Sequence, residues 1–439
     1  LRAEGEQQVE GKQEGFRKKV IQMATGTFLA QGLTVAISPL LTRLYTPTDF
    51  GILAVMLTLV GTLATFSSMR YEVALPIPED EEVAANLLVA NLIIVGITTV
   101  IAALGVFIFK SYLLRLLQAP QLGPYLWLFP VSLLGIGVYE VLSFWGIRRQ
   151  AYKMLSRTRI TQSLAQVAVQ LGMPFFLHGP AGLLVGDAVG RSQGSGTLGR
   201  WVLKTEAEHL KKVTKKGMIA ALKRYRDFPI FNTSTTFMNN FTLRIPGLFL
   251  AAQFGPAVAG LYALGQRVFV LPETVIAASV GKVFYGEAAR IGAGDPQGLM
   301  KLFWRTVARM TLLGVPVIVA LAVAARVLFP IIFGEQWRMG GVYAQYLAFV
   351  SLVDFMSSCA GSTIFVLERQ GIMFLRELIR LIIVLLAFGY CMLFHVDTLH
   401  AVQAYAVSGV LGYLLHGATT WYAIHLQCRK LELAAGVQP

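Results

Sequence analysis

Val83-Ala-Ala-Asn-Leu-Leu-Val-Ala-Asn-Leu-Ile-Ile-Val-Gly-Ile-Thr-Thr-Val-Ile-Ala-Ala-Leu-Gly-Val-Phe-Ile-Phe109 runs for 27 residues without one Asp, Glu, Lys or Arg. As a helix it would be about 40 Å long, against a hydrocarbon core of about 30 Å. Glu79-Asp-Glu-Glu82 precedes the run and Lys110 follows it, so its charges lie outside the apolar stretch. This is the pattern of a membrane-spanning helix, and it recurs along the chain. Of the 439 residues, 55% are hydrophobic and 14% are charged, where a soluble domain carries about 25% charged residues. Such a composition excludes a conventional soluble enzyme, a disordered chain and a disulfide-stapled secreted module.

Hydropathy predicts twelve spans, at 20–41, 50–69, 83–109, 125–146, 160–178, 181–198, 228–252, 257–280, 306–328, 342–367, 372–394 and 401–425. The sixth is weak because it holds Asp187, Arg191, Ser192 and Gln193. Parity keeps it: the strongly basic segments 147–159 and 199–227 should both be cytoplasmic, so a crossing at 160–178 needs a return. The net charge of +14 then has an explanation other than nucleic acid. With a cytoplasmic N-terminus, Lys and Arg fall overwhelmingly in the segments on the inner side, as the positive-inside rule requires. No nucleic-acid partner is therefore expected. The expectation is an all-α polytopic membrane protein with both termini cytoplasmic.

The basic connection 199–227, with Lys211, Lys212, Lys215, Lys216, Lys223, Arg224 and Arg226, divides the spans into two sets of six. The organisation expected is a polar N-terminus at 1–19, an N-terminal lobe at 20–198, the connector at 199–227, a C-terminal lobe at 228–425 and a tail at 426–439. An internal repeat supports the division. Tyr45-Thr-Pro47-Thr-Asp-Phe-Gly51 joins the first two spans, and Phe254-Gly-Pro256-Ala-Val-Ala-Gly260 joins the seventh and eighth. Both copies lie between an outward and an inward crossing. A parallel repeat, with halves related about the membrane normal, is implied.

At these residues the chain resembles the bacterial oligosaccharide (O-antigen) flippase family, within the multidrug/oligosaccharidyl-lipid/polysaccharide exporter superfamily. The resembling stretches are Ser38 to Gly51, Met69-Arg-Tyr-Glu-Val-Ala-Leu75, Tyr225-Arg-Asp-Phe-Pro229, Phe254 to Tyr262 and Phe333-Gly-Glu-Gln-Trp337. The resemblance implies two six-helix lobes around a cavity. It also implies a polyprenyl-diphosphate-linked glycan as cargo, flipped across the inner membrane by alternating access.

Charge within a bilayer is costly, so ionisable residues inside spans are the first candidates for function. Arg191, Arg244 and Arg267 lie roughly 12–15 Å from the outer ends of their spans at 1.5 Å per residue. Such a cationic belt would suit a diphosphate or an acidic sugar, because guanidinium offers forked donors to phosphate oxygens. Against this, Asp187 and Arg191 stand i, i+4 and can neutralise each other, while Arg244 precedes Pro246 and can cap carbonyls freed by a helix break. The stretch Leu261-Tyr-Ala-Leu-Gly-Gln-Arg267, followed by Pro272, is similar to a segment of the murein-lipid flippases that faces the substrate. Gln266 departs from the acidic residue those proteins tend to have.

Glu140, Asp187, Glu273 and Asp354 are the acids available for coupling to an H+ or Na+ gradient, with Asp354 and Glu273 the preferred pair. Gly182, Gly186, Gly190 and Gly194 recur every four residues and predict a packing face. The cysteines, Cys359, Cys391 and Cys428, have no CxxC spacing. His395, Asp397 and His400 cluster in an outer loop, read as a surface coincidence and not a metal site. No cofactor is implied, and no GxxxxGKS/T motif occurs. A glycan polymerase and chain-length machinery are the expected downstream partners. Two other functions stay open: a small-molecule antiporter of the same superfamily, and a membrane-embedded glycan polymerase or acyltransferase.

Overall fold

The computed structural model of the chain describes residues 25–229, 233–269, 277–357, 360–367 and 369–434. Among them every regular element is helical. The longer helices are α1 (Ser38–Leu44, preceded by helix at 25–36), α2 (Pro47–Ala64), α3 (Glu81–Ile108), α4 (Leu128–Arg148), α5 (Tyr152–Gly172), α6 (Ala181–Thr205) and α7 (Lys215–Arg224). They continue as α8 (Thr233–Phe254), α9 (Pro256–Arg267), α10 (Ala278–Ile291), α11 (Pro296–Phe333), α12 (Arg338–Ser357), α13 (Gln370–Leu393) and α14 (Thr398–Ala434).

Helix underlies each of the twelve segments predicted from hydropathy. Six helical segments are long and apolar enough to cross a bilayer by a strict length-and-composition measure: α2, α3, α4, α11, Glu335–Ser357 and Thr398–Glu432. The others carry more polar or charged residues, as α13 does with Arg376, Glu377 and Arg380. Within the segment 257–280, α9 ends at Arg267 and a turn follows at 268–269, and the described residues from 277 on are again helical. Glu273 and Cys359 lie outside the described residues.

The chain forms two compact units, residues 1–240 and 241–439. In the first, α4 and α5 both pack on α6, and α3 packs on α4 and α7. Its core gathers Leu87, Leu88, Leu142, Trp145, Leu198 and Tyr225. The connector helix α7 contributes Ala221 and Tyr225 to this core, so the basic segment is tied down by packing on one face. In the second unit, α11 packs on α12 and α13 on α14, and Phe284, Phe303, Ile364 and Ile424 share a core cluster.

The repeated motif has one local structure in both copies. Pro47 and Pro256 each occupy the first turn of their helix, where a missing N–H costs nothing and the fixed φ is already helical. The first copy adds a capping box: Thr46 Oγ1 accepts from the Asp49 N–H at 3.2 Å, and Asp49 Oδ2 accepts from the Thr46 N–H at 2.9 Å. The second copy instead starts at Gly255 with φ 90°, a conformation open to glycine at no steric cost. Tyr45 of the first copy also donates to the Gln170 carbonyl at 2.7 Å.

The glycine stripe of α6 meets a glutamine ridge on α5. A Cβ built on Gly186 would lie 2.9 Å from the Gln166 carbonyl and 2.5 Å from Gln170 Cγ. At Gly190 it would lie 3.0 Å from Gln166 Cβ, and at Gly194 it would collide with the Gln162 amide. Within a bilayer, helices associate through close packing and polar contacts, and small residues permit both. The stripe is the packing face that its spacing predicts.

Candidate functional site

The α5–α6 contact forms one wall of a cavity of about 670 Å³ in the first unit. Helix 25–36 supplies Thr27 and Gln31, α4 supplies Tyr139 and Glu140, α5 supplies Arg159 and Gln162, and α6 supplies Asp187 and Arg191. Arg70 enters from the turn after α2. Met69 and Arg70 both have positive φ, 50° and 61°, a region that residues other than glycine seldom occupy. The turn buries Tyr71 and Glu72 while Arg70 lines the cavity.

Three arginines and two carboxylates thus line one cavity, and several of them are engaged. Arg191 donates from Nε to Asp187 Oδ2 at 2.6 Å, which realises the i, i+4 neutralisation open in the sequence. Arg191 keeps its Nη groups without a hydrogen bond among the described residues. Arg70 Nη1 stands 3.2 Å from Glu72 Oε1, and Ser68 donates to the other oxygen of that buried carboxylate. Arg159 donates to Thr27 Oγ1. Glu140 accepts no hydrogen bond among the described residues, yet it lies within electrostatic reach of Glu72, Arg70 and Arg191. The cavity therefore holds guanidinium donors and one half-buried carboxylate without a hydrogen-bond partner.

The second unit holds Arg244 on α8, Arg267 at the end of α9 and Asp354 on α12. Arg267 is half-buried and makes no hydrogen bond or ion pair among the described residues. Arg244, half-buried, is engaged. Asp354 has no basic neighbour along the chain, but in space it acts on Arg380 of α13. Arg380 belongs to a buried ionic cluster on α13. Arg376, Glu377 and Arg380 are 6%, 4% and 6% exposed. Arg376 donates to Glu377 Oε1 from Nε at 3.1 Å and from Nη2 at 2.9 Å. Arg380 Nη1 lies 3.7 Å from Glu377 Oε2, and its guanidinium sits 4.3 Å from the centre of the Tyr413 ring. His416 Nε2 and Arg376 Nη1 are buried without hydrogen bonds among the described residues. The signal in the sequence was available: three charges at i, i+1 and i+4 inside one apolar span.

A second ionic cluster closes one end of the first unit. Arg149, just beyond α4, donates to Glu81 at 3.0 and 2.7 Å and to Glu206 at 2.8 and 2.7 Å. Arg148 reaches Glu81 at 3.1 Å and donates to the Pro78 carbonyl. Burial alone would depress the Arg149 pKa, but the hydrogen bonds and charges of Glu206 and Glu81 hold it above its ordinary value. The guanidinium joins the ends of α3, α4 and α6. No group of metal-ligating side chains occurs among the described residues. His400 and Asp397 are exposed and pair with each other.

With every regular element among the described residues helical, and six helical segments long and apolar enough to cross a bilayer, the molecule is a polytopic membrane protein. Residues 40–339 match the family described as polysaccharide biosynthesis protein, and the chain belongs to that family. It is 29% identical over 325 residues to the succinoglycan biosynthesis transport protein ExoT of Rhizobium meliloti (strain 1021), covering 71% of this chain and 61% of that one. The chain thus spans less than two thirds of that relative's length. It is 23% identical over 361 residues to the lipopolysaccharide biosynthesis protein WzxC of Escherichia coli (strain K12), covering 80% of this chain and 70% of that protein. Among solved structures, its fold is similar to the lipid II flippase MurJ in an inward closed conformation. The TM-score is 0.70 at 12% identity, with 90% of this chain and 86% of that one covered. At that identity the likeness concerns the fold.

Proposed function

We propose that the protein is a flippase that moves polyprenyl-diphosphate-linked oligosaccharide units from the inner to the outer leaflet of the bacterial inner membrane by alternating access. The observation that carries this reading is the guanidinium-lined polar cavity, found in a chain of the polysaccharide biosynthesis family. The names of its relatives, a succinoglycan transport protein and a lipopolysaccharide biosynthesis protein, support the same cargo class. On this reading the protein is a transporter and not an enzyme.

The diphosphate or acidic sugars would meet Arg70 and Arg191 in the first-unit cavity, the Nη groups of Arg191 being open to a ligand while Nε stays on Asp187. Arg267 and Arg244 are proposed as cargo-facing cations of the second unit, with Arg267 first because it has no protein partner among the described residues. For coupling to H+ or Na+, Glu140 takes precedence: it lies in the cavity, and a carboxylate between arginines exchanges a proton or cation as anionic cargo arrives. Asp187 is held by Arg191, and Asp354 is within reach of Arg380. Glu273 stays a candidate from the sequence. Placement in the inner membrane with both termini cytoplasmic, the twelve-crossing layout and delivery to a glycan polymerase with its chain-length machinery belong to the same proposal.

A multidrug-type antiporter for organic cations would favour an acidic cavity, and this one has more arginines than carboxylates. Polymerase or acyltransferase function is separated by the lipid that accumulates when the protein is lost. Complete lipid-linked units should collect on the cytoplasmic leaflet. Single units accumulating on the outer leaflet would indicate a polymerase and overturn the proposal.

A further inference from the structure

The connector helix α7 is held in place by one face and presents the other. Its N-cap Thr214 accepts from the Gly217 N–H at 3.0 Å, and the Thr214 N–H donates to Asn86 Oδ1 of α3 at 2.9 Å. Gly217 lets the two helices close: a Cβ there would stand 2.5 Å from that same oxygen. Ala221 and Tyr225 enter the core, and the Leu222 carbonyl accepts from the Tyr71 hydroxyl at 3.3 Å. The opposite face exposes Lys215, Lys216 and Lys223 together with Ile219, which is 58% exposed.

Depth identifies what this face meets. Asn86 is five residues into α3, so α7 docks about 7 Å along α3 from its first residue. The apolar run of α3 begins at Val83. The helix therefore lies level with the end of the apolar run, alongside it and not out beyond it. An exposed face at that level, with one large apolar side chain among long cationic ones, suits a bilayer interface. Ile219 can enter the acyl boundary while the Lys stems run over it and their ammonium groups stay among headgroups. We propose that α7 is a rigid interfacial element that binds anionic phospholipid headgroups on the inner leaflet. Its basic residues distinguish the occupant from a zwitterionic lipid, because each Lys near an anionic surface favours association by about fivefold. The proposal rests on the inner-side placement of 199–227 and not on the cargo, so its failure would leave the flippase reading standing.

The test uses the full chain in nanodiscs of brominated phosphatidylglycerol or brominated phosphatidylcholine. An Ile219→Trp variant is compared with the unsubstituted protein, and the added fluorescence is read as a difference. Brominated phosphatidylglycerol should quench that added signal about twofold or more beyond brominated phosphatidylcholine. Combining Lys215→Gln, Lys216→Gln and Lys223→Gln should abolish the preference and lower the phosphatidylglycerol retained on purification. Absence of quenching by either lipid would place the face in water or against a soluble partner and overturn the proposal. Equal quenching by both, unchanged in the triple variant, would also overturn it, leaving an apolar seat without charge selection.

Discussion

Substituting Gly186 by Ala should push α5 and α6 apart, whereas the same change at Gly196 on the same helix should not. At Gly186 the new methyl would fall 2.9 Å from the Gln166 carbonyl and 2.5 Å from Gln170 Cγ. The first neighbour is backbone, and Gln170 is only 2% exposed, so neither can swing clear. Restoring ordinary contact requires a shift of roughly one ångström, and overpacking of this kind costs about 1–3 kcal/mol. At Gly196 nothing lies within 4 Å of the built Cβ. Both variants gain the same helix preference of Ala over Gly, about 1 kcal/mol. That gain cancels in the comparison, so Gly186→Ala should be less stable than Gly196→Ala by about 1–3 kcal/mol. For a unit of this size the midpoints of thermal inactivation, followed as monodisperse protein after heating, should differ by about 2–10 °C. Because α5 and α6 carry Arg159, Gln162, Asp187 and Arg191 into the cavity, transport should fall in Gly186→Ala as well. Equal midpoints, or a higher one for Gly186→Ala, would refute the packing argument.

Three further outcomes follow from the charged groups. Arg267→Ala and Arg191→Ala should each reduce surface glycan display by about tenfold or more at unchanged protein level, the loss of a charge-assisted phosphate contact being about 1.5–3 kcal/mol; immunoblotting beside glycan staining separates this from misfolding. Glu377→Ala should destabilise the second unit by about 3–5 kcal/mol, since Arg376 and Arg380 would be left buried without their carboxylate, and a denaturation series on purified protein reads it. Arg149→Met keeps the stem but removes donors to both Glu81 and Glu206; limited proteolysis should then cut between Thr205 and Thr214 faster than in the unsubstituted protein.

Local regularities in the sequence carried over to the structure wherever the cause is local. The 3.6-residue period and apolar runs mark the helices. The two Pro-containing motifs start α2 and α9 in the same way, the four-residue glycine period makes a packing face, and i, i+4 spacing pairs Asp187 with Arg191. Features set by distant partners were not legible. Asp354 is solitary along the chain but faces Arg380 from another helix. Arg70 reads as a loop charge because the left-handed turn at Met69 and Arg70, which places it in the cavity, has no glycine to announce it. Arg376 and Arg380 stand beside Glu377 in the sequence, but Tyr413 and Asp354, which complete the surroundings of Arg380, come from other helices. The end of α9 at Arg267 was hidden for a related reason: hydropathy continues past it, and hydropathy reports burial in lipid, not helix continuity.

The central claim is transbilayer movement of a lipid-linked glycan. Its most direct test reconstitutes the purified protein in liposomes with a fluorescently tagged short-chain polyprenyl-diphosphate oligosaccharide and measures how much becomes accessible to a membrane-impermeant glycan-cleaving enzyme. Accessibility should rise beyond the outer-leaflet fraction of protein-free liposomes, and Arg191→Ala at equal protein content should slow the rise by about tenfold. Accessibility that stays at the protein-free level while a small organic cation is exported from the same liposomes would contradict it.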